Sequence, residues 1–214
     1  MFTDVLSAEG TATLASLAAS ELTKDFYLAG GTALALQFGH RRSIDLDWFT
    51  PQPFEPGDLL LQLQNSDDIT ISQQTAGTLH IVFKDTRVSF FHYPYPLIEP
   101  LAVLNGVRMA GPVEIGLMKI IAIANRGSRK DFYDLYQIVK RVEPLQSLFG
   151  RLPRKYPRLH YSTYHLVRSL GYFAEAEQEP EPMLIQPVSW REVTDFFRHE
   201  QSEMMRQFKQ ESPI

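Results

Sequence analysis

The spacing of apolar residues changes near residue 105, and this change constrains the fold more than any other feature of the chain. Before it, apolar and polar residues alternate, as in TLHIVF at 78–83, which is typical of strands with one buried face. After it, apolar residues recur every three or four positions, as in VEIGLMKIIAIAN at 113–125, which is typical of amphipathic helices. The sequence therefore predicts an α+β protein, with an α/β lobe at residues 1–104 and a helical lobe at residues 105–214.

Periodicity and turn signals also predict the individual elements. Strands are expected at 26–29, 42–49, 68–74, 78–83 and 87–93. Helices are expected at 11–23, 32–38, 58–65, 113–125, 128–142, 164–177 and 189–208. The first helix begins with threonines that could cap it, and glycines separate the first strand from the second helix.

Composition narrows the class of protein. The 214 residues are 44% hydrophobic, which is typical of a compact globular protein, and the absence of cysteine excludes disulfides, thiolate metal sites and a cysteine nucleophile. Residues 1–100 carry 5 Lys/Arg against 12 Asp/Glu, a balance of −7 within an overall net charge of −4. An acidic half beside a mildly basic one suits an enzyme that uses a metal and phosphates, and a solvated surface explains it equally well.

No segment has the composition of an export signal or a membrane span. The start, MFTDVLSAEG, lacks basic residues followed by an apolar run, and no window approaches 18 uninterrupted apolar residues. We therefore expect a cytoplasmic protein without a membrane partner.

Two carboxylates stand one residue apart in the predicted strand RSIDLDWF. Successive strand side chains point to opposite faces, so Asp45 and Asp47 share a face with roughly 7 Å between their Cα atoms, while Leu46 and Trp48 point to the core. Two like charges this close repel unless a cation lies between them, and Mg²⁺ prefers such oxygen ligands. The alternative is a surface strand that happens to carry two aspartates.

A glycine pair precedes these carboxylates. Gly30, Gly31 and Thr32 open the second predicted helix, where backbone N–H groups and the positive end of the helix dipole suit a phosphate. The alternative is an ordinary turn followed by an N-cap. Because one short helix joins the glycine turn to the two carboxylates, we favour a nucleotide site over coincidence.

These motifs carry a family resemblance. GGTALAL followed by HR-x-S-x-D-x-D resembles the DNA polymerase β-type nucleotidyltransferases and, more narrowly, the AbiEii/AbiGii toxin family of toxin–antitoxin and phage-defence systems. The resemblance extends through IGLMKIIAIANRGSRKDFYDLYQIV to LVRSLGYFAEAE and the closing SWREVTDFF. It implies a nucleotidyltransferase lobe with a mixed sheet followed by a helical lobe.

The resemblance also implies an activity and a set of roles. Asp45 and Asp47 would hold Mg²⁺, the glycine turn would bind a nucleoside triphosphate, and Arg41 and Ser43 would contact the nucleotide. A nucleotide would pass to an acceptor hydroxyl on RNA or protein with release of pyrophosphate. A cognate antitoxin is the implied protein partner.

The helical lobe adds further candidates. Lys119 lies within an apolar helix, where it could reach the surface by its flexible stem or, as the resemblance favours, contact a phosphate. Asp131 and Asp134 match a D-x-x-D motif of the family, and Asp131 could instead complete a capping box with Ser128. Lys130 could bind phosphate or be solvated. We interpret Asp134 mostly as a catalytic residue.

Other candidate features are less specific. Residues 151–168 combine five Arg/Lys with three tyrosines, which could receive an RNA end or could form a basic surface over buried tyrosines. Five isolated histidines lack metal-ligand spacing, and we interpret them as structural: His80, His92, His160, His165 and His199.

One departure from the family pattern limits the enzymatic interpretation. Polymerase β-type enzymes commonly add a third carboxylate from a later strand, whereas RVSFFHYP offers Ser89, Phe90, Phe91 and His92 there. The alternatives are an enzyme with two carboxylates, a substitute acid such as Asp131 or Asp134, or a catalytically silent nucleotide-binding module that acts through a partner. A scaffold without any nucleotide is a further alternative.

Overall fold

The computed structural model describes residues 2–63 and 69–211, with side chains described as far as residue 207. The chain divides into two compact units, Met1–Gly111 and Pro112–Ile214. The described strands are β1 (Tyr27–Ala29), β2 (Asp45–Thr50), β3 (Ile69–Thr75), β4 (Thr78–Phe83), β5 (Thr86–His92), β6 (Ala102–Leu104) and β7 (Val107–Met109). The described helices are α1 (Ala8–Ala18), α2 (Gly30–Phe38), α3 (Pro56–Leu63), α4 (Pro112–Arg126), α5 (Arg129–Arg141), α6 (Leu145–Lys155), α7 (Thr163–Ser169), α8 (Ala174–Gln178) and α9 (Trp190–Glu211).

The strands of the N-terminal unit form one mixed sheet in the order β3-β4-β5-β2-β1-β7-β6. β2 runs parallel to β5 and antiparallel to β1, and β1 runs parallel to β7. The β4–β5 hairpin turns at Lys84 and Asp85, which both have positive φ, as the tight twisted turn of a two-residue hairpin requires. The expected α+β fold with a mixed sheet is therefore confirmed.

One face of this sheet forms the core of the N-terminal unit. Side chains alternate along β2, β4 and β5, so that Leu46 and Trp48 lie in the core beside Val88 and Phe90. Helices α1 and α2 contact the central strands and contribute buried leucines to the same core. The opposite face carries half-buried and exposed side chains at alternating positions.

The C-terminal unit is helical, with α4 packed against α5, α6 and α7. Gly116 of α4 sits where these helices meet, since a Cβ there would lie 3.2 Å from Leu148 of α6 and 3.3 Å from Ile138 of α5. Among residues 2–63 and 69–211, no helix has both the length and the apolar composition needed to cross a membrane.

Several predicted boundaries differ from the structure. The chain divides after Gly111 rather than after residue 104, because β6 and β7 pair with each other and β7 joins the sheet beside β1. The first helix spans Ala8–Ala18 instead of 11–23, since its N-cap is Ser7, whose hydroxyl accepts from the Gly10 N–H at 3.0 Å, and not a threonine. The strand expected at 42–49 begins only at Asp45.

Helix predictions in the second half also need correction. Residues 164–177 form two short helices, α7 and α8, and α6 was not predicted. Residues 64 and 65, predicted as helix, and residue 68, predicted as strand, lie outside the described residues.

Candidate functional site

The two aspartates of the D-x-D motif lie on the open face of β2. Leu46 and Trp48 between and beside them are in the core, whereas the Asp45 side chain is 28% exposed and Asp47 is half-buried. The predicted alternation is therefore confirmed. Both carboxylates project from the same side of the sheet.

Gly30 brings the start of α2 against Asp47. Its neighbour Ala29 is the register partner of Asp47 across the β1–β2 pair. Gly30 has φ +67°, and a Cβ at this position would lie 2.9 Å from Asp47 Oδ2. A larger residue is disfavoured by both the backbone conformation and the contact, so only glycine allows this approach.

The start of α2 has the features expected of an anion-binding turn. Ala29 at the N-cap makes no side-chain hydrogen bond to the first turn, and Gly30 and Gly31 are half-buried. The first N–H groups of a helix lack partners within the helix and carry the positive end of its dipole. An anion placed beside Asp47 would therefore meet backbone donors.

Three other predicted nucleotide-binding residues are buried: Thr32, Arg41 and Ser43. The Thr32 hydroxyl donates to the Asp45 carbonyl oxygen and lies 2.6 Å from Ser43 Oγ. The Arg41 Nη1 group donates to the Arg42 carbonyl oxygen at 3.0 Å. Thr32 and Ser43 thus join α2 to the start of β2 and help to position Asp45, and their direct contact with a nucleotide stays a prediction.

Arg87 on β5 pairs with Asp45, a contact that the sequence analysis missed. The two residues are register partners, and Arg87 Nε lies 2.7 Å from Asp45 Oδ1. Because Arg87 is 61% exposed, this pair is worth at most about 1 kcal/mol. A cation at Asp45 could displace it at little cost. Arg87 lies beside Asp45 only through the parallel pairing of β2 with β5, which the sequence does not specify.

Ser89 occupies the position beside Asp47 on β5. It is the register partner of Asp47 in the parallel β2–β5 pair and of His80 in the antiparallel β4–β5 pair. Ser89 Oγ lies 2.8 Å from His80 Nδ1. As predicted, β5 carries no acid at this position. Ser89 lies there instead, and His80 of β4 lies beside it on the same face of the sheet as the two aspartates.

The carboxylate oxygens on this face are suitable ligands for Mg²⁺, with phosphate oxygens of a substrate as further ligands. Across the described ranges, no group of three or more His, Asp or Glu residues is arranged to hold a metal ion. Mg²⁺ usually takes one or two carboxylates and completes its octahedron with water and substrate phosphates. Asp45 and Asp47 provide such a pair.

In the helical unit, Lys119 lies between the two aspartates of the D-x-x-D motif. Its Nζ is 2.6 Å from Asp131 Oδ1 and 2.6 Å from Asp134 Oδ2. The Lys119 side chain is 6% exposed, and both carboxylates are fully buried. The alternative in which Lys119 reaches the surface by its flexible stem is therefore wrong, and the phosphate contact that the resemblance favours stays a prediction.

Arg126 adds a second cation to this cluster. Its Nε donates to Asp131 Oδ2 at 2.9 Å. Burial by itself raises the pKa of Asp131, but the charges and hydrogen bonds of Lys119 and Arg126 outweigh it, so the pKa lies below its ordinary value. Asp131 is therefore an ionised acceptor at neutral pH.

The capping box, which was one of two alternatives for Asp131, does not form at the start of α5. Ser128 makes no side-chain hydrogen bond to the first turn, and Asp131 is occupied by Lys119 and Arg126. Glu179 takes the capping role instead: its Oε2 accepts from Ser128 Oγ at 2.7 Å and from the Arg129 N–H at 2.8 Å. Lys130, one residue on, is exposed.

Part of the basic segment 151–168 lies inside the helical unit. Lys155 is fully buried, and its Nζ pairs with Glu114 Oε2 of α4 at 2.5 Å. Tyr156 is buried beside it, whereas Tyr164 is exposed. The segment is therefore mixed: part of it packs α6 onto α4, and part forms a basic surface.

Known proteins are similar to this chain in sequence and in fold. Residues 12–93 match the family described as nucleotidyl transferase AbiEii toxin, type IV toxin–antitoxin system. An uncharacterized protein of Aquifex aeolicus (strain VF5), aq_aa25, is 38% identical over 189 residues, which are 86% of this chain and 90% of that protein.

Two solved structures show a similar fold. A Helicobacter pylori protein described as a candidate nucleotidyltransferase has a TM-score of 0.57 and 18% identity, over 95% of this chain and 94% of that one. MenT4, a nucleotidyltransferase toxin from Mycobacterium tuberculosis H37Rv, has a TM-score of 0.51 and 16% identity, over 93% and 86% of the two chains. With the motifs on β2 and α2 inside the matched segment, this chain belongs to the AbiEii family of nucleotidyltransferase toxins, which are transferase enzymes.

Proposed function

We propose that this protein transfers a nucleotide from a nucleoside triphosphate to a hydroxyl group of an RNA or protein acceptor, with Mg²⁺ as cofactor. The observation that carries the proposal is the placement of Asp45 and Asp47 on one half-exposed face, with the glycine start of α2 directly against Asp47. This arrangement puts two anionic oxygen donors beside backbone N–H donors. A triphosphate with a divalent cation needs both.

Each residue of this face has a role in the proposal. Gly30 and Gly31 present N–H groups to the triphosphate, and Thr32 and Ser43 hold α2 and β2 in place. Asp45 and Asp47 would hold the cation, which would neutralise charge on the phosphate oxygens. The acceptor hydroxyl then attacks the α-phosphorus in line, and pyrophosphate leaves.

The role of the helical unit is less direct in this proposal. The family resemblance implies that Lys119 neutralises charge on the leaving pyrophosphate and that Asp134 orients the acceptor. It also implies that Lys130 and Asp131 bind nucleotide. The contacts of Lys119 with Asp131 and Asp134 at 2.6 Å support a different contribution, in which the three residues hold α4 against α5. Lys130 is exposed, and its phosphate contact stays a prediction.

The family also suggests a partner and a location. An antitoxin of the same system is the proposed protein partner, since the matched family is described as part of a toxin–antitoxin system. We expect both to act in the cytoplasm, where nucleoside triphosphates and RNA are present.

A second candidate function has one observation in its favour. β5, with the sequence TRVSFFH, places Arg87 and Ser89 rather than an acid beside the two aspartates. A protein that binds nucleoside triphosphate but does not transfer it would then act by contacting a partner.

Label transfer separates these functions. The purified protein is incubated with Mg²⁺, total cellular RNA and each of the four nucleoside triphosphates labelled at the α-phosphate. We expect label to enter RNA or protein with wild type and not with Asp45→Ala or Asp47→Ala. Binding of a triphosphate without transfer of label would favour the silent module, and transfer by both aspartate variants would exclude the proposed site.

A further inference from the structure

The attacking hydroxyl must lose its proton during nucleotide transfer, and carboxylates that would hold a cation would be weak acceptors for that proton, because a nearby positive charge favours their ionised form. General-base catalysis of such a step is commonly worth about 10²–10⁴ in rate. The residues beside Asp47 on the open face are therefore the first place to look for a proton acceptor.

Register places Ser89 next to Asp47. Paired residues of neighbouring strands lie roughly 5 Å apart and project to the same face. An acceptor hydroxyl that reaches an α-phosphate held at Asp47 therefore also comes within reach of Ser89. Ser89 is half-buried, so its hydroxyl lies at the surface of this face and not in the core.

His80 stands behind Ser89 on the next strand. Its Nδ1 lies 2.8 Å from Ser89 Oγ, and its ring meets Phe91 edge-on with centroids 5.3 Å apart. A neutral imidazole with an unprotonated Nδ1 accepts the proton of the serine hydroxyl in this geometry.

We propose that Ser89 and His80 together take the place of the third carboxylate. Ser89 is the catalytic residue of the pair: its Oγ accepts the proton of the attacking hydroxyl while its own proton passes to His80 Nδ1. The new bond joins the acceptor oxygen to the α-phosphorus, and the bond from the α-phosphorus to pyrophosphate breaks. His80 acts through Ser89 and is a positioning residue that holds the proton until solvent removes it.

This inference rests on the proposed nucleotidyl transfer, so its test measures transfer in several variants of the full chain. The variants are His80→Gln and Ser89→Ala, with the nucleoside triphosphate and acceptor that wild type uses. We expect kcat to fall about 100-fold in each, with KM changing less than about threefold, because the pair acts on the transition state and not on nucleotide binding.

Two matched controls remove the same residue types from neighbouring positions. His92 is the register partner of Thr50 and therefore lies on the other face of β5. The hydrogen bond described for the Ser72 side chain on β3 goes to the His80 carbonyl oxygen and not to the His80 ring. His92→Gln and Ser72→Ala should retain kcat within about threefold of wild type.

Rescue distinguishes a proton acceptor from a structural contact. Ser89→Asp places a carboxylate beside Asp47, so His80→Gln/Ser89→Asp should recover kcat to within about tenfold of wild type. A lost packing contact at His80 would not be restored by an acid at position 89. Failure of the double variant to recover activity, with its thermal stability unchanged, would overturn the inference.

The remaining outcomes are also decisive. Wild-type rates in His80→Gln and Ser89→Ala would overturn the role of the pair and leave the proposed function intact. Nucleotide found covalently on Ser89 by intact-mass measurement would show that the serine is the acceptor itself, which also overturns the relay. No transfer by wild type with any of the four triphosphates would instead reject the proposed function, and this inference with it.

Discussion

Both the fold and the candidate site require a residue without a side chain at Gly30. Its positive φ lets β1 turn into α2, and the absence of a Cβ lets the helix start approach Asp47. Both requirements act at the same position, because Ala29 and Asp47 are register partners. A substitution here should therefore affect stability and ligand binding together.

We predict that Gly30→Ala destabilises the protein by about 1–2 kcal/mol, the usual cost of a left-handed conformation for a residue with a Cβ. It should also weaken triphosphate binding at least about tenfold by moving Asp47. Thermal unfolding and equilibrium binding with Mg²⁺ measure the two effects. Gly57→Ala is the control, since a Cβ at Gly57 meets no atom within 4 Å. Equal behaviour of the two variants would contradict this account.

Asp131 is one of the buried charged residues of the helical unit. Its carboxylate is fully buried and accepts from Lys119 and Arg126. Its pKa is below the ordinary value, so the folded state holds the proton less tightly than the unfolded state does. This contribution to stability is present above the unfolded pKa of about 3.9 and is lost as the pH falls through the folded pKa.

We therefore predict that Asp131→Asn costs about 1–3 kcal/mol at neutral pH, because the buried Lys119 ammonium loses one of its two carboxylate partners. The difference from wild type should shrink as the pH falls below about 4. Chemical denaturation at a series of pH values measures this. Asp195→Asn, which removes an exposed carboxylate paired with Arg198, should match wild type throughout. A constant difference between wild type and Asp131→Asn at every pH would count against the ionised cluster.

At the scale of elements, α5 is held by a segment far from it in sequence. Three glutamates make these contacts: Glu179 caps the helix start, Glu181 accepts from Tyr133 at 2.8 Å, and Glu192 accepts from Tyr136 at 2.6 Å. The stability of α5 therefore depends on residues 179–192 as well as on its own buried stripe.

We predict that Glu179→Ala lowers stability by about 1–2 kcal/mol, as the loss of an N-cap commonly does. Amide exchange should increase first at the start of α5. Glu177→Ala removes an exposed glutamate two residues away and serves as the control. The cap would be disproved by identical unfolding temperatures and exchange rates in the two variants.

The elements that could be predicted from the sequence are those with a strong local pattern of apolar residues. β4, β5, α4 and α5 lie close to the expected positions because their apolar spacing is regular over a full element. α6 was missed because Pro153 interrupts a basic stretch, and β6 and β7 were missed because three residues carry too little alternation.

Long-range contacts explain the other differences. Residues 164–177 form two helices where one was expected, and a Cβ at Gly171 between them would lie 2.4 Å from Gln201 of α9. The capping partner of α5 could not be predicted either, because Glu179 is 50 residues from Arg129 in sequence. Such partners depend on tertiary packing, which no local window contains.

At the scale of the whole molecule, the D-x-D motif and the glycine turn lie together in the N-terminal unit, as their short separation in sequence indicated. Their immediate neighbours could not be predicted in the same way. Arg87 and Ser89 reach the two aspartates through the parallel pairing of β2 with β5, which the sequence does not specify. The two motifs of the candidate site are thus close together in sequence, whereas Arg87 and Ser89 are brought to them only by the tertiary structure.

In the proposed reaction, this face breaks the triphosphate between the α- and β-phosphates. The most direct test follows the products from the nucleoside triphosphate that wild type uses, labelled in parallel at the α- and γ-phosphates, with Asp47→Asn and the exposed Asp58→Asn compared. We predict one pyrophosphate released per α-label transferred by wild type and Asp58→Asn, and at least about 100-fold less by Asp47→Asn. Release of inorganic phosphate alone, or transfer of the γ-label to the acceptor, would contradict nucleotidyl transfer at this site.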